Sequence, residues 1–132
     1  MDTQYGIRKQ LDIPYEQAVE KATAALKGEG FGVLTEIDVK ATLKAKLGAD
    51  FQRYVILGAC NPPLAHQALQ SELEIGLMLP CNVIVYETQD GGSVVSAINP
   101  MAALGVVDNP TLLRVAKQVT EKIQRVIESL DA

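Results

Sequence analysis

Tyr54-Val55-Ile56-Leu57-Gly58-Ala59-Cys60-Asn61-Pro62-Pro63 holds a strand and the start of a helix in ten residues. Tyr54 to Cys60 is almost wholly apolar, the pattern of a strand buried on both faces or central in its sheet. Asn61 then caps a helix: its side-chain oxygen accepts from a free N–H of the first turn, and prolines there lose nothing by lacking a donor. Leu64, Ala65, Ala68, Leu69 and Leu73 supply that helix with an apolar stripe.

Upstream of this stretch, Tyr5 to Leu11 alternates loosely and reads as a half-buried first strand. Pro14 suits the first position of a helix carrying Ala18, Val19, Ala22, Ala25 and Leu26, which Gly28 and Gly30 end. Phe31 to Ile37 is a second strand, and Asp38 caps a short helix through Val39, Leu43 and Leu47 that stops at Gly48.

Downstream, Met78 to Glu87 is a further strand, irregular at Pro80 because proline cannot donate to a central ladder. Gln89-Asp90-Gly91-Gly92 turns the chain, and Ser93 to Ile98 returns as the hairpin partner. Asn109-Pro110 repeats the cap-then-proline device. The helix it opens carries Leu112, Ala116, Val119, Ile123, Val126 and Leu130 along one seam. The expected order is β-α-β-α-β-α-β-β-α. It predicts an α+β fold, one twisted sheet of about five strands with helices packed on it. The order alone leaves open which strands are parallel.

The chain has 132 residues, the size of a single domain spanning 1–132. Hydrophobic residues make up 48% and charged residues 21%, enough apolar surface to fold without disulfide or metal staples. The net charge of −4, with scattered cations, argues against nucleic acid as a partner. The opening Met1-Asp2-Thr3-Gln4 lacks a basic and apolar leader, and the longest apolar run, Ile75 to Tyr86, is 12 residues. A membrane helix needs about 20. The expectation is a cytoplasmic protein, without membrane contact, whose two cysteines are reduced thiols.

Chemistry concentrates in Cys60-Asn61, Cys81-Asn82 and His66, the only histidine. Thiolate and imidazole are ligands for a soft or borderline metal, and are also the pair that makes an activated nucleophile. Cys60 precedes a helix N-terminus, whose dipole favours a thiolate. Asn61 and Asn82 offer amide contacts to a ligand. At about 100° per residue, His66 falls just outside the apolar stripe of its helix. Cys60 ends one strand and Cys81 starts the next, so the two are neighbours only if those strands run antiparallel. The spacing fits no standard zinc signature. The plain alternative is two small buried side chains and a surface histidine.

Glu36, beside Asp38 at a strand end, is a further candidate for acid–base work or a cation. Gly28-Glu29-Gly30-Phe31-Gly32 is not a phosphate loop, because it follows a helix and opens a strand, the reverse of a dinucleotide fingerprint.

Three stretches together, Gly30 to Asp38, Tyr54 to Pro63 and Leu79-Pro80-Cys81-Asn82-Val83, strongly resemble the small prokaryotic family called domain of unknown function 302. The likeness covers nearly the whole chain in the same order. The resemblance implies a compact fold similar to the TATA-binding protein, a homodimer and no established activity. It points to Cys60, Asn61, Pro62, Cys81, Asn82 and Glu36 as the place for a family site. Fold likeness does not carry DNA binding with it.

Two functions follow as expectations. The first is a homodimeric, non-enzymatic protein that binds a small molecule or partner through a pocket of Cys60, Asn61, His66, Cys81 and Asn82. The second is a thiol-redox or metal-binding protein that uses Cys60, Cys81 and His66.

Overall fold

The computed structural model describes residues 3–130. Met1 and Asp2, part of the opening stretch read for a leader, lie outside the described residues. The elements are β1 (Gly6–Leu11), α1 (Tyr15–Gly28), β2 (Gly32–Asp38), α2 (Val39–Leu47), β3 (Tyr54–Cys60) and α3 (Pro62–Ser71). A 3-10 helix (Leu73–Met78) follows, then β4 (Cys81–Glu87), β5 (Ser93–Ile98), α4 (Pro100–Leu104) and α5 (Pro110–Glu128). The five strands form one sheet in the order β1-β5-β4-β3-β2, and every neighbouring pair is antiparallel. The α+β architecture and the expected sequence of elements are both present.

Antiparallel pairing follows from where the connections return. Neither α2 nor α3 carries the chain across the sheet; each joins two adjacent strands at the end where the first one finished. The sheet is buried on the face that α1 and α5 cover. Val55, Leu57 and Ala59 of β3 and Val83 and Val85 of β4 are buried there with Ala18, Ala22 and Leu26 of α1. The α5 seam is buried along its whole length, from Leu112 through Ala116, Val119 and Ile123 to Val126; Leu130, expected on the same helix, lies beyond its end at Glu128 but is buried as well. These side chains belong to one continuous core cluster. The other side of β3 is half-buried at Tyr54 and Ile56. The strand lies inside the sheet, between β4 and β2, but is packed on one face rather than two.

Helix ends are set by local chemistry. Asp38 accepts from Ala41 N at 2.9 Å to start α2, and Asn109 accepts from Leu112 N at 3.1 Å to start α5. The end of α1 is a two-bond cap in which Phe31 N donates to Leu26 O at 2.9 Å and Gly30 N donates to Lys27 O at 3.1 Å. Gly30 sits at φ +86°, where a side chain would be strained.

Three local expectations need correction, and one helix is additional to the expected order. Pro14 is the residue before the helix rather than its first member. The stripe of α3 stops short of Leu73, which is 80% exposed, because the α-helix ends at Ser71. Met78 to Pro80 is not strand: the apolar run Leu73–Met78 winds into a 3-10 helix anchored by buried Ile75, and pairing begins only after Pro80, which has no N–H to give. Finally, Asn99-Pro100 is a third cap-then-proline start, with Asn99 accepting from Met101 N at 3.0 Å, and it opens the short helix α4.

Candidate functional site

A mostly apolar recess opens at the end of the sheet where β3 runs into α3. Its volume is about 310 Å³. Ala59 and Cys60 of β3, Leu34 and Thr35 of β2, and Leu79, Pro80 and Cys81 ahead of and within β4 form one side. Leu64, Ala65, Ala68 and Leu69 of α3, Val115 and Val119 of α5, and Leu104 of α4 form the other, with Phe31 and Asn61 completing the lining. No lysine, arginine, histidine, aspartate or glutamate is among these residues.

Register explains how the thiols come to share it. Ala59 pairs with Cys81 across β3 and β4, and Cys60, one residue further on, pairs with Gly32 of β2. The antiparallel arrangement therefore brings the two cysteines to the same end of neighbouring strands. Both are free thiols. Burial pushes the Cys81 thiol up to about 11, and the nearby Cys60 adds to the rise. A desolvated thiol with a second thiol beside it resists ionising, so Cys81 is held as the neutral, weakly nucleophilic form near neutral pH.

The opening depends on a bulge and a glycine. Val33 faces Ala59 and Thr35 faces Gly58, so Leu34 is an extra residue on β2. It is 67% exposed yet lines the recess. At Gly58 a Cβ would overlap Thr35 Oγ1 and stand 2.8 Å from Pro80 Cγ. Only glycine lets the edge strand and the proline close over β3 at that point. The Leu79–Pro80 peptide is cis.

Asn61 has structural work of its own. Its side-chain oxygen accepts from Leu64 N at 3.4 Å, and its Nδ2 donates to Glu29 O, also at 3.4 Å. The amide thus joins the start of α3 to the loop after α1, and Gly30 leaves it room, since a Cβ there would lie 3.2 Å from Nδ2.

The structure gathers Cys60, Asn61 and Cys81 around one recess and leaves the other three sequence candidates outside its lining. His66 is exposed on α3, consistent with its position just off the apolar stripe. Asn82 is exposed on β4, one residue beyond Cys81 and so on the opposite face of the sheet. Glu36 is exposed on edge strand β2, close enough to Tyr15 that its charge, after desolvation and Asp38, helps raise that phenol. Among the described residues, no three His, Cys, Asp or Glu side chains are grouped to hold a metal ion.

What sequence reading missed is the apolar majority of the lining, above all Leu79, Pro80 and Leu104. Leu104 belongs to α4, and Asn99-Pro100 was the signal that announced it. Leu79-Pro80 was read as strand because its neighbours are apolar.

The family model described as Domain of unknown function DUF302 matches residues 7–130. The chain belongs to that family. Its members' shared fold is visible in a crystal structure of an uncharacterized conserved DUF302 protein from Bacillus stearothermophilus. That protein is 28% identical and superposes with a TM-score of 0.87 over 96% of this chain and 98% of the other. No curated protein matches the chain. Within the three quoted stretches, Gly58, Asn61 and Pro80 each have a structural reason here, as crossing point, helix clamp and cavity wall.

Proposed function

We propose that this DUF302 protein binds a small, uncharged, apolar molecule in the recess between the end of the sheet and α3, without transforming it. One observation carries the reading: a preformed cavity of about 310 Å³ lined by apolar side chains and a few polar groups, with no ionisable residue except two thiols. Ligand pockets have that size range and composition. Nucleotides, sugar phosphates and free metal ions would find no counter-charge there, and burying an unpaired charge is costly. Catalysis has little to work with, because no imidazole or carboxylate lines the cavity and the Cys81 thiol stays protonated. The thiol-redox or metal reading loses its base and third ligand with His66 outside the lining.

The working unit in this reading is a cytoplasmic homodimer that contacts neither nucleic acid nor membrane. The sheet face turned away from α1 and α5 supports the dimer: Ile37 is exposed there, Ile56 and Ile84 are partly exposed, and an apolar patch on a sheet face suits a second copy. The net charge of −4 disfavours a polyanion. Among the described residues, no helix is long and apolar enough to cross a membrane.

The test is titration of the protein with 1-hexanol, followed by methyl and amide NMR. Shifts centred on Leu64, Leu69 and Val119 are expected. Ala65→Leu, which puts bulk into the recess, should abolish them while the thermal transition stays close to wild type. Shifts scattered over the surface, or shifts untouched by Ala65→Leu, would sink the proposal.

A further inference from the structure

A second apolar recess, of about 250 Å³, lies beneath the 3-10 helix and α4. Leu79, Pro80, Cys81 and Leu104 line both it and the first recess, so one wall, a single layer of side chains, separates them. Beyond that wall the second recess is bounded by Met78, Asn82, Ile98, Pro100 and Ala103, with no charged side chain and one amide, that of Asn82, among them. Its rim is greasy: Leu77 is 84% exposed and Met78 43%. Large apolar side chains left bare at the mouth of an apolar recess mark a binding surface more often than an idle one.

The wall is a segment rather than a packed element. Leu79 and Pro80 lie between the 3-10 helix and the first ladder pair of β4, and Leu79 is half-buried. Joining the two spaces requires the half-buried Leu79 side chain and the buried Leu104 side chain to move aside. The two linings together are mostly apolar, with neutral hydrogen-bonding groups at Thr35 and Asn61 in the first recess and at Asn82 in the second.

We infer that the ligand is an uncharged single-chain amphiphile of the fatty-alcohol type. Its polar end lies by Thr35 and Asn61, and its chain passes Leu79 and Leu104 into the second recess. This inference rests on the binding function proposed above and specifies its ligand class. A chain in this position also covers the rim formed by Leu77 and Met78. A carboxylate of the same length is disfavoured, because neither lining offers it a cation.

The experiment is calorimetric titration of the full chain with 1-alkanols from hexanol to dodecanol, below their aggregation limits. Affinity is expected to rise about fourfold per methylene through the longer members, since each buried methylene contributes about 0.8 kcal/mol. Ala103→Leu, which fills the second recess alone, should leave hexanol affinity unchanged and remove the gain on lengthening; Ala103→Val serves if the leucine variant does not fold. Decanoate at pH 8 should bind at least tenfold more weakly than decanol. If hexanol binds and longer alcohols bind no better, the extension fails while the cavity reading survives. If lengthening helps equally in the Ala103 variants, the chain runs elsewhere and the inference is overturned. Decanoate matching decanol overturns the neutral headgroup, and hexanol failing to bind at all removes the parent reading instead.

Discussion

The two ends of β3 are built on opposite principles. At the Tyr54 end, Arg53 donates from Nε to Glu87 Oε2 at 2.9 Å, pairs with Glu16, and holds its guanidinium 5.4 Å from the Tyr15 ring centroid. Tyr54 stacks on Tyr86 at 5.5 Å beside it. At the Cys60 end there is no ion pair among the lining residues, and the space between strands and helices is left unfilled. The same sheet is thus finished by charge and aromatic rings at one end and by apolar walls at the other. The recess at the Tyr54 end, lined by Gln52, Tyr86, Glu87, Thr88 and Gln89, carries a charge, whereas the one at the Cys60 end is mostly apolar, the composition of a small-molecule pocket.

The largest effect that tests this contrast comes from paired truncations. Leu57 is 1% exposed in the filled part of the core, and Leu57→Ala is expected to cost about 2–5 kcal/mol by denaturant unfolding. Leu79→Ala, which only widens an existing recess, is expected to cost about 1 kcal/mol or less. Equal losses would mean that the recess is packed shut in solution.

Smaller is the pH signature of Cys81. The folded thiol sits near 11 against 9.0 for a free one, so below pH 9 both folded and unfolded chains keep the proton and the group is silent. Between pH 9 and 11 the unfolded chain loses its proton first, and stability falls as pH rises. The loss is roughly 2 kcal/mol relative to Cys81→Ala measured in parallel. Identical pH profiles for the two proteins would remove the buried thiol from the site.

Smallest is the effect at the charged end. Backbone and side-chain hydrogen bonds from Arg53 hold the Glu87 carboxyl below its usual range. That contribution is present above the ordinary carboxylate pKa and fades as pH falls through the lowered one. Arg53→Ala should therefore lower the melting temperature slightly at pH 7, less so in added salt, and not at all at pH 2. It should leave hexanol binding unchanged; a change would couple the two ends.

Sequence alone carried most of the fold because its strongest signals are local and periodic. The α5 seam repeats every three or four residues, β3 is an unbroken apolar run, and Asn61-Pro62 and Asn109-Pro110 mark helix starts. The exceptions have physical causes. Leu73–Met78 is apolar without a period, so nothing in it distinguishes a 3-10 turn from strand or helix. Five residues, the length of α4, are too few for a repeat to register. Of the candidate site, the cysteine pair was legible as a condition, met once β3 and β4 proved antiparallel. The angular position of His66, just outside the stripe, left open whether it faced core or solvent, and only the packing of α3 puts it on the surface. The apolar walls were invisible because a leucine that lines a cavity is spelled like one that fills a core.

Gly58 has a consequence for how this scaffold can vary. The place where Thr35 and Pro80 meet over bare backbone works as a keystone: it is the narrowest tolerance in the cavity's surroundings, and it sits on the sheet. The opposite wall, at Ala65, Leu69 and Val115, belongs to helices whose side chains can change size without moving a strand. The size and shape of the recess can therefore be retuned from the helical side, residue by residue, whereas a side chain at Gly58 requires Thr35 and Pro80 to shift.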